Sequence, residues 1–265
     1  MSSDKAEETA RQIFAAEQAR ATMQPLAPER MPASAEEAYA VQDRLQALIL
    51  GTGVGAIAGW KVALTSKVMQ ELVGFGQPCE GAIFASRVHR SPATVRYADF
   101  VNIGVESEIA VRLGRDLPPR ETAYTRADIE AAVTACMAAI EIVDDRAMNY
   151  KQLNALQLIA ENSFNAGCVI GPEVTDWQRL DLAALPGRMR INGETVGQGV
   201  GGDALGHPLE PVVFLANNLI ARGTLLKAGD VVLTGSIVAT KWLKPGDVMA
   251  TEIDGLGEAT LTVNA

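Results

Sequence analysis

The segment Val105-Glu106-Ser107-Glu108-Ile109-Ala110-Val111-Arg112-Leu113 decides the reading of this chain. Val105, Ser107, Ile109, Val111 and Leu113 alternate with Glu106, Glu108, Ala110 and Arg112, which is the period of a β-strand. Glu106 and Glu108 therefore leave the strand on one side, one pleat apart. Two carboxylates that close repel, so a cation sits between them, or one holds a proton, or water solvates both. Ala110, next on that face, leaves room. The pair reads as half of a divalent-metal site. The competing reading is a solvated strand face, the common fate of a lone Glu-x-Glu.

Composition narrows the choice. The chain has 265 residues, 48% of them apolar, and a formal net charge of −9. It is long enough for a substantial core. The acidic balance argues against nucleic acid and anionic membranes as partners. Cys79, Cys136 and Cys168 are widely spaced, with no Cys-x-x-Cys pair, and read as reduced thiols of a cytoplasmic protein. With only His89 and His207 available, a His-rich zinc or iron site is excluded. Any metal must rest mainly on carboxylates, which favours a hard ion, Mg²⁺ or Mn²⁺. The polar, acidic start Met1–Glu8 does not read as a signal peptide, and no apolar run is long enough to span a bilayer.

Working outward, residues 4–22 read as a helix, broken by Pro25, Pro28 and Pro32. Ser34 with Glu37 gives a capping-box start to a second helix, ending at Gly51-Thr52-Gly53. Residues 1–55 are thus expected to be a helical appendage, and 56–265 a catalytic β domain. Residues 56–64 form an apolar run interrupted by Lys61, residues 76–81 a loop, and 82–84 a short strand. Thr125 and Asp128 open an Ala-rich helix expected to reach Ala138, followed by a strand over 139–144, a helix over 151–163 and a strand over 166–171. Asn192-Gly193 marks a type I′ hairpin, Pro211 the first turn of a helix ending at Gly223, and residues 231–235 a buried strand. Residues 248–253 and 258–263 pair around Asp254-Gly255. Many short strands with few helices between them argue against a Rossmann or TIM-barrel pattern. The expected fold class is α+β, a mostly antiparallel β-roll or sandwich with helices outside.

Glu141 lies in Ile140-Glu141-Ile142, whose neighbours want burial, so it needs a partner. That partner is either a metal shared with Glu106 and Glu108 or an arginine such as Arg146 or Arg112. Lys61 either snorkels to an edge or faces a pocket, where it attracts a carboxylate or moves a proton. Thr65 and Ser66 follow it and can assist with hydroxyls. His207, before a helix, is a turn hydrogen-bonder or a pocket residue. Thr234 and Gly235 can offer a hydroxyl and backbone N–H groups to an anion, or simply form a turn.

Five segments occur in order: Gly59–Ser66, Val105–Ala110, Ile140–Asp144, Leu205–Leu209 and Gly229–Gly235. Together they resemble the 2-keto-4-pentenoate hydratase and 4-oxalocrotonate decarboxylase family, within the fumarylacetoacetate hydrolase superfamily. The resemblance covers roughly residues 35–265 and implies a mixed β-roll of that superfamily's C-terminal-domain type. It implies Mg²⁺ or Mn²⁺ on Glu106, Glu108 and Glu141, with Lys61 beside a small 2-oxo acid. It also implies a homo-oligomer, or a complex with a partner decarboxylase or hydratase. The implied reaction is hydration of a 2-hydroxy-2,4-dienoate to a 4-hydroxy-2-oxo acid. Decarboxylation of a 2-oxo-3-hexenedioate is the alternative, followed by C–C hydrolysis and by a non-catalytic, 2-oxo-acid-binding role. One loop departs from the family pattern: Cys79 in Pro78-Cys79-Glu80-Gly81 stands where the hydratases carry an acid/base aspartate. Glu80, one place along, is then the first-ranked substitute, with Cys79 a packing residue against the substrate; a loop that has lost its role, and a Cys79 thiolate acting as base, are the second and third readings.

Overall fold

Alternating and doubly apolar segments of this chain can bury themselves only as sheets, and the computed structural model, which describes residues 1–265, contains two. Two helices open the chain, α1 (Ser3–Gln18) and α2 (Ala35–Leu50). After them come β1 (Ile57–Ala63), the short α3 (Lys67–Val73), β2 (Cys79–Phe84), β3 (Val88–Arg90), β4 (Ala93–Arg96) and β5 (Ile103–Leu113). The middle of the chain gives α4 (Arg126–Glu130), β6 (Val133–Asp144), α5 (Ala155–Ala160), β7 (Asn165–Ile170), β8 (Pro186–Ile191) and β9 (Glu194–Val200). It closes with α6 (Leu209–Ala221), β10 (Val231–Trp242), β11 (Val248–Ile253) and β12 (Gly257–Asn264). A seven-stranded sheet runs β2-β1-β10-β5-β6-β7-β3 and a five-stranded one β4-β12-β11-β8-β9. Pairing is antiparallel except for β1–β10, β3–β7 and β4–β12. The fold is the expected α+β arrangement of mixed sheets with helices outside.

The pleat of β5 divides its residues between two environments. Val105, Ile109 and Val111 face the second sheet and join Met189, Met249 and Leu261 in the largest apolar cluster. Each such side chain, fully buried, contributes roughly 1.5–3 kcal/mol by its removal from water. Glu106, Glu108 and Ala110 face the other way. On that side the seven-stranded sheet curls until β2 touches β7, so the carboxylates point into the roll. One end of the roll is filled by Ile83, Ala110, Met137, Ala139, Ile170 and Leu233, all buried. The approach of β2 to the turn before β7 requires Gly81, because a Cβ there would lie 2.3 Å from the Asn162 carbonyl oxygen.

Three local expectations are corrected. The Ala-rich helix stops at Glu130, and the strand begins at Val133 rather than 139. Both faces of β6 are buried, so alternation is invisible in its sequence, and cross-strand packing overrides the helix preference of alanine. Cys79 and Glu80 are not loop residues but begin β2, paired with Ala63 and Val62. The segment expected to be helical over 151–163 contains α5 and short 3₁₀ turns.

The N-terminal helices are not an appendage in packing terms. Ala6, Ala10 and Ile13 of α1 and Val41, Leu45 and Ile49 of α2 belong to the same apolar cluster as the strands. Gln42 Nε2 donates to the carbonyl oxygens of Glu80 at 2.7 Å and Ile159 at 2.9 Å. The apolar faces of α1 and α2 are therefore covered within the chain.

Candidate metal centre and active site

Register brings the three carboxylates together. Glu106 pairs directly with Glu141 across β5 and β6, and Glu108 follows one pleat along the same face. Each offers an oxygen within 4.8 Å of the others. Glu108 and Glu141 are fully buried and Glu106 is partly exposed, so the group opens towards solvent on the Glu106 side.

Each carboxylate is held by at least one neighbour. Glu108 Oε2 accepts the Gly235 N–H at 2.7 Å. Glu141 Oε1 accepts from Asn165 Nδ2 at 3.1 Å and pairs with Lys61 Nζ at 3.1 Å. Glu106 Oε1 accepts the Thr240 hydroxyl. Glu108 Oε1 and Glu141 Oε2 are buried with no partner at all. A buried acceptor without a donor is costly, and two beside each other form a deficit that a cation removes. The donors are all carboxylate oxygens, the chemistry of a hard divalent ion.

The charges report the same deficit. Burial, then the Glu141 and Glu106 charges, hold the Glu108 carboxyl well above the usual carboxylate range. Burial also raises Glu141, against the pull of Lys61. Burial alone would lower Lys61, but Glu141, Glu106 and Glu108 outweigh it and keep the ammonium charged. Lys61 does not snorkel: it is 4% exposed. Neither arginine proposed for Glu141 is its partner, since Arg146 pairs with Glu161 and Arg112 with Glu173.

Strand parity sorts the remaining candidates. Lys61 pairs with Gly81 across β1 and β2, and Ala63 with Cys79, so Cys79 shares the Lys61 face. Burial pushes its thiol up to about 12, which leaves it neutral. Glu80, one residue along, points the opposite way. Its carboxylate accepts from the Tyr39 hydroxyl at 2.6 Å and Asn218 Nδ2 at 2.8 Å and pairs with Arg222. It thus ties α2 and α6 to the sheet, and its expected place beside Lys61 is corrected on that ground.

Thr234 donates its hydroxyl to the Ile109 carbonyl at 2.8 Å and is 1% exposed, so it is occupied inside the sheet. The anion that the Gly235 N–H meets is Glu108 itself. Gly235 lies not in a turn but inside β10, where the pairing with β5 shifts register. Its φ is +106°, and a Cβ there would lie 2.2 Å from Thr65 Oγ1, so Thr65 presses on the stretch of β10 that holds Glu108. Ser66 caps α3 by accepting the Met69 N–H at 3.3 Å. His207 Nδ1 accepts the Leu209 N–H at 3.1 Å, the turn role. It lines a shallow depression with Pro78, Arg126 and Phe214, away from the carboxylates. A second, more enclosed cavity of about 580 Å³, lined by Glu17, Arg87, His89, Arg146 and Asn165, also contains none of the three carboxylates.

Sequence reasoning missed Asn165 and Thr240, which orient Glu141 and Glu106. Thr240 carried a signal, since it lies in the strand that pairs with β5. Asn165 carried none: it is delivered by a turn in which Asn162, Ser163 and Phe164 all have positive φ, between 50° and 60°.

Comparison with known proteins adds independent findings. The family model described as fumarylacetoacetate (FAA) hydrolase C-terminal matches residues 74–264. The 2-keto-4-pentenoate hydratase of Paraburkholderia phymatum is 33% identical over 97% of this chain and 97% of its own length. The 2-hydroxyhexa-2,4-dienoate hydratase of Comamonas testosteroni is 34% identical over 91% of this chain and 90% of its own. Among solved structures, 4-oxalocrotonate decarboxylase from Pseudomonas putida G7, complexed with magnesium and adipate, superposes with a TM-score of 0.91. It is 26% identical, covering 99% of this chain and 98% of the other.

Proposed function

Because this chain belongs to the fumarylacetoacetate hydrolase C-terminal family, we propose that it is a metal-dependent hydro-lyase that adds water to a 2-hydroxy-2,4-dienoate, giving a 4-hydroxy-2-oxo acid. The observation that carries this reading is the likeness to named hydratases along nearly the whole chain, joined to a buried carboxylate triad with two unpartnered oxygens.

Glu106, Glu108 and Glu141 are the residues that would hold Mg²⁺ or Mn²⁺. Bound there, the ion supplies fixed positive charge that polarises a 2-oxo group and stabilises its enolate. The rest is the work of the chain's own side chains. Asn165, Thr240 and the Gly235 N–H fix the three carboxylates in place. As the dienoate ketonises, the 2-hydroxyl loses its proton and the terminal carbon gains one, which generates the α,β-unsaturated 2-oxo acid; Lys61 Nζ, the cation against Glu141, relays that proton at the substrate head through water. Water then adds at C4, and C3 takes up a proton. Cys79, neutral beside Lys61, cannot share that proton. The Thr65–Gly235 contact supports the site through Glu108, and Ser66 and His207 support the adjoining loops.

The decarboxylase reading stands second, favoured by the close superposition on 4-oxalocrotonate decarboxylase. The same stabilised enolate serves loss of CO₂, so the triad suits both reactions. The test is purified protein with Mg²⁺ and 2-hydroxypenta-2,4-dienoate, followed by ultraviolet absorbance and product chromatography. Catalytic loss of the dienoate with appearance of 4-hydroxy-2-oxopentanoate is expected. CO₂ release from 2-oxohex-3-enedioate without dienoate turnover would favour the second reading, and flat traces with both would favour a binder. Under the same proposal the protein works in the cytoplasm, where its three free cysteines stay reduced, as a homo-oligomer or with a partner decarboxylase or hydratase.

A further inference from the structure

The carboxylate triad has one open side, and an aromatic pair stands on it. Trp242 pairs with Gly104, two residues before Glu106 and on the same face of β5. Thr240, which shares that face, already bonds Glu106. Trp242 is 45% exposed and Tyr150 37% exposed. Their rings meet edge to face, with centroids 6.3 Å apart and planes at 83°. Two large exposed aromatics packed only edge-on leave a ring face free for a flat partner.

The other directions from the triad are closed. Inwards, the roll is filled by Ala110, Ala139, Leu233 and their buried neighbours. On the β1–β2 side stand Lys61 and Cys79, both buried. A 2-oxo acid held by its carboxylate and keto oxygen at the triad must therefore send its tail out past Glu106, along Tyr150 and Trp242. The charges that act on Tyr150 are the carboxylates Asp145 and Glu106, both negative. Lys241 leaves β10 opposite Val105, on the far face, and Arg146 is taken by Glu161. A second carboxylate on the tail would meet like charge with no arginine to receive it.

We propose that Tyr150 and Trp242 form the wall of the substrate channel and select a 2-oxo acid whose tail is planar or apolar and uncharged, against a dicarboxylate of the same length. This inference rests on the proposed function for the position of the substrate head, and it names the tail that the site accepts.

The test reads binding as well as turnover. Calorimetry on the Mg²⁺-loaded protein compares pyruvate, 2-oxohexanoate and 2-oxohexanedioate. In the wild type, 2-oxohexanoate should bind about tenfold tighter than pyruvate, and 2-oxohexanedioate no tighter than pyruvate. Trp242→Ala should reduce the gain from the tail to less than threefold while leaving pyruvate affinity unchanged. Trp242→Phe should restore most of it, and Trp242→Arg should turn the preference towards the dicarboxylate. An unchanged tail gain in Trp242→Ala, or tighter binding of 2-oxohexanedioate by the wild type, overturns the wall and leaves the triad reading standing. A Trp242-dependent tail gain in a protein that turns over no dienoate upholds the wall and overturns the hydratase. Failure to bind any 2-oxo acid in the presence of Mg²⁺ overturns both.

Discussion

Glu108→Gln should make the metal-free protein more stable and the metal-loaded protein inactive. Glu108 has carboxylate neighbours within 4.8 Å. At that separation and an effective dielectric of about 20, two like charges repel by about 3.5 kcal/mol. The substitution removes two such repulsions, with Glu106 and Glu141, and one attraction of comparable size, with Lys61. The balance is about 3.5 kcal/mol before it is reduced, because Glu108 in the metal-free protein escapes part of the repulsion by taking a proton. Glutamine keeps an oxygen for the Gly235 N–H and turns its amide towards the other carboxylates, where the unpartnered Oε1 now stands. An increase of about 1–3 kcal/mol in EDTA follows, or about 2–6 °C in melting temperature for a chain of this size. The pH dependence has a definite sign. The folded Glu108 carboxyl is raised from the ordinary 4.5, so its contribution is complete below that value and is lost as pH rises through the folded-state value. The advantage of glutamine should therefore grow from pH 5 upwards. Scanning calorimetry in EDTA and in millimolar Mg²⁺ measures both halves: the wild type should gain from Mg²⁺ by mass action and the variant should not. A variant that melts below the wild type in EDTA, or that keeps the full Mg²⁺ shift, would refute the site.

Lys61→Met keeps the stem's packing and should lower turnover of the dienoate by about two to four orders of magnitude, the range of a positioned acid/base; near-wild-type kinetics would remove Lys61 from the reaction. Glu80→Gln should act on stability, because it breaks one side of a buried ion pair with Arg222, at a cost of about 2–4 kcal/mol in urea unfolding. Turnover per folded molecule should change little, and a loss greater than tenfold would put Glu80 back in the chemistry. Cys79, buried and with its thiol raised to about 12, should resist iodoacetamide in the native protein at pH 8 and react after unfolding; mass spectrometry of the labelled peptide decides. Light scattering at micromolar concentration should give the mass of a homo-oligomer, and a monomer mass would remove that proposal.

How much was legible depends on whether a residue's signal was local. The Glu106–Glu108 face, the Asn192-Gly193 hairpin and the Ser34 cap were readable because each depends on a few consecutive residues. The structure places Asn192 and Gly193 at positive φ, as a type I′ turn needs, and Ser34 accepts the Glu37 N–H. Glu141 was readable as a residue needing a partner, but its partner was not, because the register of β5 on β6 and β1 on β10 is set by distant segments. The helix expected up to Ala138 failed for a related reason. A strand buried on both faces has no polar phase, and Ala135, Ala138 and Ala139 look helical until the neighbouring strands are known.

The Cys79–Glu80 pair shows where a motif comparison must yield to strand geometry. A carboxylate missing from one position of a loop can be replaced by its neighbour, because loop backbones re-aim side chains at little cost. Here residue 79 is already in a strand, paired with Ala63, and a shift of one residue changes the face. Glu80 could reach Lys61 only if β2 slipped its register. That slip would carry the Glu80 carboxylate away from Tyr39, Asn218 and Arg222. It would also drive Gly81, which lies against the Asn162 carbonyl, out of the one position where no Cβ fits. The register is thus held from both faces, and the charge lost at position 79 is not recovered at position 80. Among Lys61, Cys79 and Gly81 on that face, Lys61 alone carries a charge, so under the proposed function proton movement at this end of the site falls to Lys61 and water.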